Sequence, residues 1–407
     1  MRGADLLMVG IPDKSLDGET KSALAALQPG ALVLQPGNVD EDVEDFVELI
    51  NELRALLPDT LFAVDAEGGR VDTLAAVTGG APAPSDLAAG SPSLALETGR
   101  WLGHAVAIFN IGLALAPVVD LDRGEENNAL DGRYLGSDPE AVTVRARAFL
   151  RGLHTAGVGG CLKHFPGLGG ATDDTHYMGS TVYLPKKELE ADLVPFRELA
   201  EVAGAVMVGH ANYPAWDRDG LPATLSPSIL GGLLRDDLGF AGLVLSDDLE
   251  MKALASWGDV PERAAAAFAA GCDVLLVCHS LDAAAAAAER LDADEFADRR
   301  EVAGARFARF REDLVALGVR HEQERLDAGV IRGYDFEEVV EKLESLRQSA
   351  TRAAEGRAEQ GAADRAEAER AATPAAAEVA PPAAPETEAA EVGVEGEAGG
   401  VGLRPAE

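Results

Sequence analysis

Short apolar runs alternate with longer amphipathic stretches over about the first 320 residues of the chain. The runs have the length of buried strands, and the stretches between them carry apolar residues at helical spacing. Parallel strands need a crossover of this kind, so the pattern predicts a parallel sheet. The eight predicted strands are Leu6–Ile11, Ala31–Leu34, Leu61–Val64, Leu113–Val119, Gly157–Leu162, Ala205–Val208, Leu243–Leu245 and Val274–Val277.

The number of strand and helix units favours a closed barrel. Eight units within about 320 residues suit a TIM-like (β/α)8 barrel better than an open doubly wound sheet. No Gly-x-Gly-x-x-Gly follows the first strand, which argues against a dinucleotide-binding sheet. The predicted fold class is α/β, a single catalytic domain with helices that include Val43–Leu57, Leu94–Phe109, Pro139–Thr155, Lys187–Val202 and Pro261–Ala270.

The composition changes near the C-terminus. From about Gln348 onward the chain consists mainly of Ala, Glu, Arg, Pro and Gly and has no aromatic residue. We therefore predict a barrel domain over 1–347 and a low-complexity tail over 348–407. Within the tail, the alternating charges of Thr351–Ala372 indicate a solvated helix, and Thr373–Glu407 is expected to be disordered.

The charge of the chain excludes several classes of partner. Asp and Glu number 70 against 35 Lys and Arg, which gives a formal net charge of −35. Nucleic acids and anionic membranes bind clustered basic residues, so neither is an expected partner. No stretch reaches the ~18 apolar residues of a membrane span, and the first apolar run is too short for a signal peptide. We expect a cytoplasmic protein, and a monomer.

Six of the predicted strands end on charged or imidazole side chains. In a parallel barrel the carboxyl ends of the strands meet at one face, where active sites form. Packing alone does not account for so many polar endings, so this face is predicted to be functional. The residues are Asp65, Glu67 and Arg70, then Asp120, then Lys163 and His164, then His210, then Asp247 and Asp248, and finally His279.

These residue types suit chemistry on a sugar. Asp65, Arg133, Lys163 and His164 offer one acceptor and several donors, which would bind several hydroxyl groups and an amide. A carboxylate such as Asp247 can attack an anomeric carbon and form a covalent glycosyl ester.

Such a reaction also needs a proton donor for the leaving oxygen. The glycine-rich loop after the fifth strand offers Asp174-Thr175-His176. A histidine has an unperturbed pKa of ~6.5 and exchanges protons near neutrality, and Asp174 would orient the His176 ring. The loop's glycines predict that His176 swings in after the substrate binds.

Other chemistries use some of the same residues. His164, Asp174, His176, His210 and Asp247 are metal-ligand types, but no His-x-His or His-Glu-x-x-His spacing occurs, so no metal site is predicted. Lys163 at a strand end is also compatible with a Schiff-base lysine, and the residues alone leave that alternative open.

The motifs resemble a known family. Lys163-His164-Phe165-Pro166-Gly167-x-Gly169, then Asp174-Thr175-His176, and downstream Ser246-Asp247-Asp248-Leu249-x-Met251 resemble the bacterial β-N-acetylhexosaminidases of glycoside hydrolase family 3. The resemblance runs from about Leu6 to Leu317 and includes Phe62-Ala63-Val64-Asp65, Glu67-Gly68-Gly69-Arg70-Val71, Ala116-Pro117-Val118, Leu225-Ser226-Pro227 and Ala270-Gly271-Cys272-Asp273.

The resemblance implies a TIM-like barrel that retains anomeric configuration through a covalent glycosyl-enzyme. It implies that Asp247 is the nucleophile, His176 the acid/base and Asp174 its partner. It also implies that Asp65, Arg133, Lys163 and His164 bind N-acetylglucosamine, and that no cofactor is used. The sequence departs from the family pattern at Ala66, Thr73 and Leu168, where Gln, Arg and His are usual, and the Arg is a sugar-site residue.

We therefore predict a retaining exo-β-N-acetylglucosaminidase that acts on terminal β-linked N-acetylglucosamine of peptidoglycan fragments (muropeptides). One alternative is a retaining phosphorylase, because a neutral histidine acid/base repels incoming phosphate less than a glutamate would. A second alternative is a non-catalytic muropeptide-binding barrel, which the departures at Thr73 and Leu168 motivate. The intact Asp174, His176 and Asp247 argue against it.

Overall fold

The computed structural model describes residues 1–124, 130–171, 179–327 and 335–372, with 319–327 and 365–372 as backbone alone. The chain divides into two compact units, Met1–Glu359 and Gln360–Glu407. The expected boundary at residue 347 stays a prediction, and the tail from Thr373 lies outside the described residues. In the described part of the chain, no helix is both long and apolar enough to cross a membrane.

Eight parallel strands close into a barrel, as the sequence predicts. The strands are β1 (Leu7–Val9), β2 (Ala31–Leu34), β3 (Leu61–Val64), β4 (Ala66–Gly68), β5 (Val71–Asp72), β6 (Leu113–Ala114), β7 (Gly159–Phe165), β8 (Gly204–Val208), β9 (Leu243–Asp248) and β10 (Val274–Val277). Around the barrel the strand order is β1-β10-β9-β8-β7-β6-β3-β2, and β4 and β5 form a separate antiparallel hairpin directly after β3.

Helices connect the strands on the outside of the barrel. The helix from Pro139 begins with an Asp138 carboxylate that accepts from Ala141 N at 2.9 Å, which is an N-cap readable from the sequence. The α-helices are α1 (Gly18–Leu27), α2 (Val43–Leu56), α3 (Ala75–Thr78), α4 (Pro84–Ala89), α5 (Pro92–Ile108), α6 (Pro139–Thr155), α7 (Lys186–Ala203), α8 (Val260–Ala270), α9 (Leu281–Leu291), α10 (Ala297–Asp327) and α11 (Phe336–Ala372). A π-helix over Ser228–Asp237 joins β8 to β9 and was not predicted.

The core has an inner and an outer layer. Along β2, Ala31 and Val33 face the barrel interior while Leu32 and Leu34 pack under the helices, as the two-residue period of a strand requires. Phe307, Phe310 and Leu314 of α10 belong to the inner layer and close its amino-terminal end. Consequently the barrel opens at the carboxyl ends of its strands.

Five strands differ in length from the prediction. β1 spans Leu7–Val9 instead of Leu6–Ile11, and β8 begins one residue earlier than predicted. β6 ends at Ala114 instead of Val119, and Pro117 has no N–H to donate to a neighbouring strand. β7 and β9 run three residues further than predicted. Lys163, His164, Asp247 and Asp248 therefore lie within strands. Both residues of each pair line the cavity, and the register of the ladder shifts at these places, between Leu162 and Phe165 of β7 and between Leu245 and Asp248 of β9.

Candidate active site

A cavity of about 370 Å³ lies at the carboxyl ends of the strands. Five predicted site residues line it together: Asp65, Arg133, Lys163, His164 and Asp247. The predicted acid/base pair, Asp174 and His176, lies outside the described residues. The other lining residues are Val33, Gln35, Arg70, Val71, Leu115, Leu168, Met207, Asp248, Met251, Leu276, Cys278 and His279.

Lys163 is a buried ammonium group held between two carboxylates. Its Nζ lies 2.6 Å from Asp65 Oδ1 and 2.6 Å from Glu67 Oε1. Burial alone would lower the pKa of Lys163, but Asp65 and Glu67 raise it above its ordinary value. Because Schiff-base chemistry needs a neutral amine, this environment favours a hydrogen-bond donor over the aldolase-type alternative.

Glu67 joins Lys163 to Arg133. Arg133 Nε donates to Glu67 Oε2 and Arg133 Nη2 to Oε1, both at 2.8 Å, which is a bidentate pair. Burial alone would raise the pKa of Glu67, but Lys163 and Arg133 lower it to about 2. In the sequence, Glu67 is one of several polar residues at strand ends and has no assigned function. In the structure it lies on the β4–β5 hairpin, where its carboxylate pairs with both Lys163 and Arg133.

His164 is oriented by the buried Asp120. Its Nδ1 lies 2.8 Å from Asp120 Oδ2, and its backbone N–H donates to the same oxygen at 3.1 Å. Asp120 Oδ1 accepts from Leu168 N at 2.6 Å. A carboxylate accepts, so Nδ1 donates to Asp120 and Nε2 faces Arg133 Nη2 at 3.4 Å. Asp120 is a second residue whose partner the sequence does not indicate.

The two aspartates that end β9 are held differently. Asp248 Oδ1 accepts from Glu250 N at 3.1 Å and from Cys278 N at 3.4 Å, so it connects β9 to the segment after β10. Burial, with the charges of Glu250 and Asp247 adding to it, raises the pKa of Asp248 to about 6. Asp247 Oδ1 accepts from the Asp248 N–H at 2.8 Å, and its carboxylate lines the cavity.

His210 supports β9 from the neighbouring strand. Its Nε2 donates to Asp248 O at 2.9 Å, and its Nδ1 lies 2.7 Å from Thr224 Oγ1. His210 therefore positions the backbone next to Asp247. Among the described residues, no group of three or more His, Cys, Asp or Glu side chains is arranged to hold a metal ion.

One departure from the family pattern, Leu168, lies in the cavity wall. Thr73 is buried, and its backbone N–H donates to Asp65 O at 2.9 Å. Leu168 is buried and adds an apolar side chain to the wall. Arg70, at the turn of the hairpin, lines the cavity and donates from Nε to Asp131 O at 2.9 Å.

Comparison with known proteins identifies the family to which this chain belongs. Residues 1–302 match the glycosyl hydrolase family 3 N terminal domain. The chain belongs to glycosyl hydrolase family 3. It is therefore a glycoside hydrolase, as its motifs predict.

Other proteins that resemble this family 3 hydrolase in sequence or in structure agree with that assignment. A β-hexosaminidase of Alkalilimnicola ehrlichii is 36% identical over 308 residues, which cover 73% of this chain and 87% of the relative. A family 3 β-N-acetylglucosaminidase from Paenibacillus sp. superposes with a TM-score of 0.73 at 28% identity, over 84% of this chain and 67% of that one. NagZ from Neisseria gonorrhoeae in complex with N-trifluoroacetyl-D-glucosamine superposes with a TM-score of 0.64 at 32% identity, over 77% of this chain and 98% of the NagZ chain.

Proposed function

We propose that this family 3 hydrolase is a retaining exo-β-N-acetylglucosaminidase that removes terminal β-linked N-acetylglucosamine from peptidoglycan fragments. The observation that carries the proposal is the cavity in which the Asp247 carboxylate shares one wall with Asp65, Lys163, His164 and Arg133. A nucleophile and a set of sugar-binding donors therefore meet in one place, as retaining glycosidase chemistry requires.

The cavity chemistry supports an N-acylated sugar as the ligand. Charged side chains lie on one part of the wall, while Val33, Leu115, Met207 and Leu276 form an apolar floor. Lys163 and Arg133 donate to hydroxyl groups or an amide carbonyl, and Asp65 accepts from a hydroxyl. The ligand in the Neisseria gonorrhoeae structure is an N-acylated glucosamine, which agrees with this assignment. A floor closed by the barrel interior favours removal of a terminal sugar.

In the proposed mechanism, an Asp247 oxygen attacks the anomeric carbon and forms a glycosyl ester. The leaving oxygen takes a proton from His176 as its bond to the anomeric carbon breaks. Water then attacks the same carbon, gives its proton to His176 and releases Asp247, so the configuration is retained. Asp174 orients the His176 ring. The roles of Asp174 and His176 rest on the motif, since both lie outside the described residues.

A chromogenic aryl β-N-acetylglucosaminide tests the proposal. We expect turnover by the wild type, near-background rates for Asp247→Ala, and a loss of roughly 10²- to 10⁴-fold for His176→Ala with a poor leaving group. Asp45 is exposed on α2, so Asp45→Ala is the matched control and should keep wild-type rates.

The covalent step has its own readout. With an activated aryl leaving group, His176→Ala should form the glycosyl ester faster than it hydrolyses it, because water lacks its base. Mass spectrometry of the quenched variant should then show one N-acetylhexosamine on the peptide that contains Asp247. An adduct on a peptide without Asp247 would contradict the assignment of the nucleophile.

The same assay distinguishes the alternatives. Release of sugar 1-phosphate in phosphate buffer would indicate a phosphorylase, and binding of N-acetylglucosamine without turnover would indicate a non-catalytic barrel. Muropeptides as the substrate, the cytoplasm as the compartment and a monomeric state stay predictions. Muropeptide digestion, cell fractionation and light scattering, respectively, check them.

A further inference from the structure

Helix α11 packs on the barrel although it lies beyond the family match, which ends at residue 302. The Phe336 ring lies 6.1 Å from the Phe109 ring of the segment after α5. Val339, Leu343 and Ala350 are fully buried, at spacings that place them on one helical face. The apolar face of the helix is therefore buried within the first compact unit, Met1–Glu359.

Arg347 extends from this helix to a turn made by two glycines. Its Nη1 donates to Gly79 O at 2.5 Å and also to Gly80 O. Gly79 and Gly80 have φ angles of +76° and +81°, which side chains rarely adopt, so the turn needs both glycines. Two carbonyls of one turn thus meet a single guanidinium, a charge-assisted arrangement.

The segment after this turn holds the β4–β5 hairpin. Ala81 N donates to Asp72 Oδ2 at 2.8 Å, and Gly69 N donates to Ala81 O at 3.0 Å. The contact is close, because a Cβ added to Gly68 would lie 2.1 Å from Pro82 O. A displacement of this segment would therefore be transmitted to the hairpin.

The hairpin carries two residues of the candidate active site. Glu67 on β4 pairs with Lys163 and Arg133, and Arg70 at the turn lines the cavity. Contacts thus run from Arg347 through residues 79–81 to the groups that bind the sugar in the proposed function.

We propose that Arg347 is a positioning residue for substrate binding, and that α11 uses it to hold the β4–β5 hairpin against the cavity. The kinetic part of this proposal rests on the proposed glycosidase function. The structural part, that Arg347 restrains residues 66–81, does not.

The positive charge of Arg347 also affects the ionisation of Asp72 on β5. Burial raises the pKa of Asp72 to about 6, against the hydrogen bonds from Ala81 and Leu74 and the positive charge of Arg347, which lower it. Arg347 is the charged side chain that acts on Asp72 among the described residues. Without it, Asp72 would take up a proton at a higher pH and lose part of its capacity to accept from Ala81 and Leu74.

The experiment compares Arg347→Ala and Arg347→Lys with Arg352→Ala in the full-length chain. Arg352 is exposed on the same helix, and its hydrogen bond goes to Ser349 of that helix, which makes it the matched control. Hydrogen exchange is followed at the amides of Gly69 and Thr73, with the β8 strand as the internal reference. KM, kcat and the pH profile of kcat/KM are measured with the aryl N-acetylglucosaminide.

For Arg347→Ala we expect amide exchange in the hairpin to be about 10-fold faster or more, with exchange in β8 unchanged. KM should rise about threefold or more while kcat changes less, and the acid limb of kcat/KM should move to higher pH. Arg347→Lys keeps the charge but places its donors on a single nitrogen, so it should be intermediate, and Arg352→Ala should match the wild type.

Two results would overturn the proposal. One is wild-type hairpin exchange in Arg347→Ala; the other is equally faster exchange in β8, which would mean general destabilisation. If Arg347→Ala does not fold, the same comparison of hydrogen exchange in the hairpin and in β8 is made with Arg347→Lys, and the same two results would overturn the proposal. Absence of turnover in the wild type would contradict the proposed function. The hydrogen-exchange comparison would then still test whether Arg347 restrains the hairpin.

Discussion

The carboxylate of Glu67 lies 2.6 Å from Lys163 Nζ and 2.8 Å from Arg133 Nη2, in a part of the cavity wall where all three side chains are buried. Together with Asp65, it balances the charge of the two cations. A buried ion is costly once its partner is removed, since neither water nor an opposite charge then compensates it. The charge balance of this part of the cavity therefore depends on a residue of the hairpin and on its pairing with two other segments.

Replacing Glu67 with Gln keeps the shape of the side chain and removes its charge. We expect a loss of about 3–5 kcal/mol in the free energy of unfolding at pH 7, because Lys163 and Arg133 lose a buried partner. The pKa of Glu67 is lowered to about 2, so its contribution is present above about pH 4.5 and is lost as the pH falls toward 2. Urea unfolding at pH 7 and at about pH 3.5 should show the difference shrinking.

Glu48→Gln is the control for this comparison, because Glu48 is exposed on α2. It should change the free energy of unfolding by less than about 0.5 kcal/mol. Equal effects of the two substitutions would contradict the interpretation of Glu67 as the charge partner of Lys163 and Arg133.

At the scale of elements, an ion pair joins α7 to the segment after β6. Arg123 Nη2 donates to the buried Asp192 of α7 at 2.8 Å. A Cβ added to Gly167, at the start of the glycine-rich loop, would lie 2.5 Å from Asp192 Cβ, so α7 packs directly on that loop. Tyr213 donates to Gly167 O at 2.8 Å. The start of the loop that continues to Asp174 and His176 is therefore held by two neighbouring elements.

Arg123→Ala should destabilise the protein in a pH-dependent way. Burial raises the pKa of Asp192 to about 6 even though Arg123 lowers it, so removing Arg123 would raise this pKa further. A carboxyl with a raised pKa costs stability as the pH rises through its titration, and the cost disappears when the group is protonated.

We therefore expect Arg123→Ala to lose roughly 2 kcal/mol at pH 8 and less than half of that at about pH 5. Urea unfolding at both pH values measures this, with the exposed Arg151 of α6, as Arg151→Ala, for comparison. A loss that does not depend on pH would indicate that Arg123 acts by packing rather than through Asp192.

Along the described part of the chain, the last buried apolar side chain is Ala350. The compact unit Met1–Glu359 contains the barrel, the cavity and the apolar face of α11 with Arg347. Because the hydrophobic effect follows buried apolar area, the stability of the barrel should be determined within this unit.

A chain that ends at Glu359 should therefore keep its melting temperature within about 2 °C and its kcat/KM within about twofold. Differential scanning calorimetry and the aryl glycoside assay measure both. A chain that ends at residue 335, without α11, should melt at least several degrees lower, because Val339, Leu343 and Ala350 are removed from the core. A full-length melting temperature for the shorter chain would contradict the assignment of α11 to the core.

The sequence predictions are most accurate where the signal comes from a few neighbouring residues. The predicted bounds of β2, β3, β10 and α6 agree with the structure, because apolar run length, the Asp138 cap and the proline after it act over a few residues. The last three residues of β7 and β9 were missed because a charged side chain at a strand end is indistinguishable, in sequence, from the first residue of a turn.

The parallel barrel and the strand endings that supply Asp65, Lys163, His164 and Asp247 can be read along the chain, since periodicity and polar endings are properties of neighbouring residues. Which charged side chains pair with each other is visible in the folded molecule alone. Glu67 lies between Lys163 and Arg133, Asp120 orients His164, and Arg347 reaches a turn more than 260 residues away in the chain. Such pairings depend on where three-dimensional packing places distant segments, and no spacing along the chain encodes them.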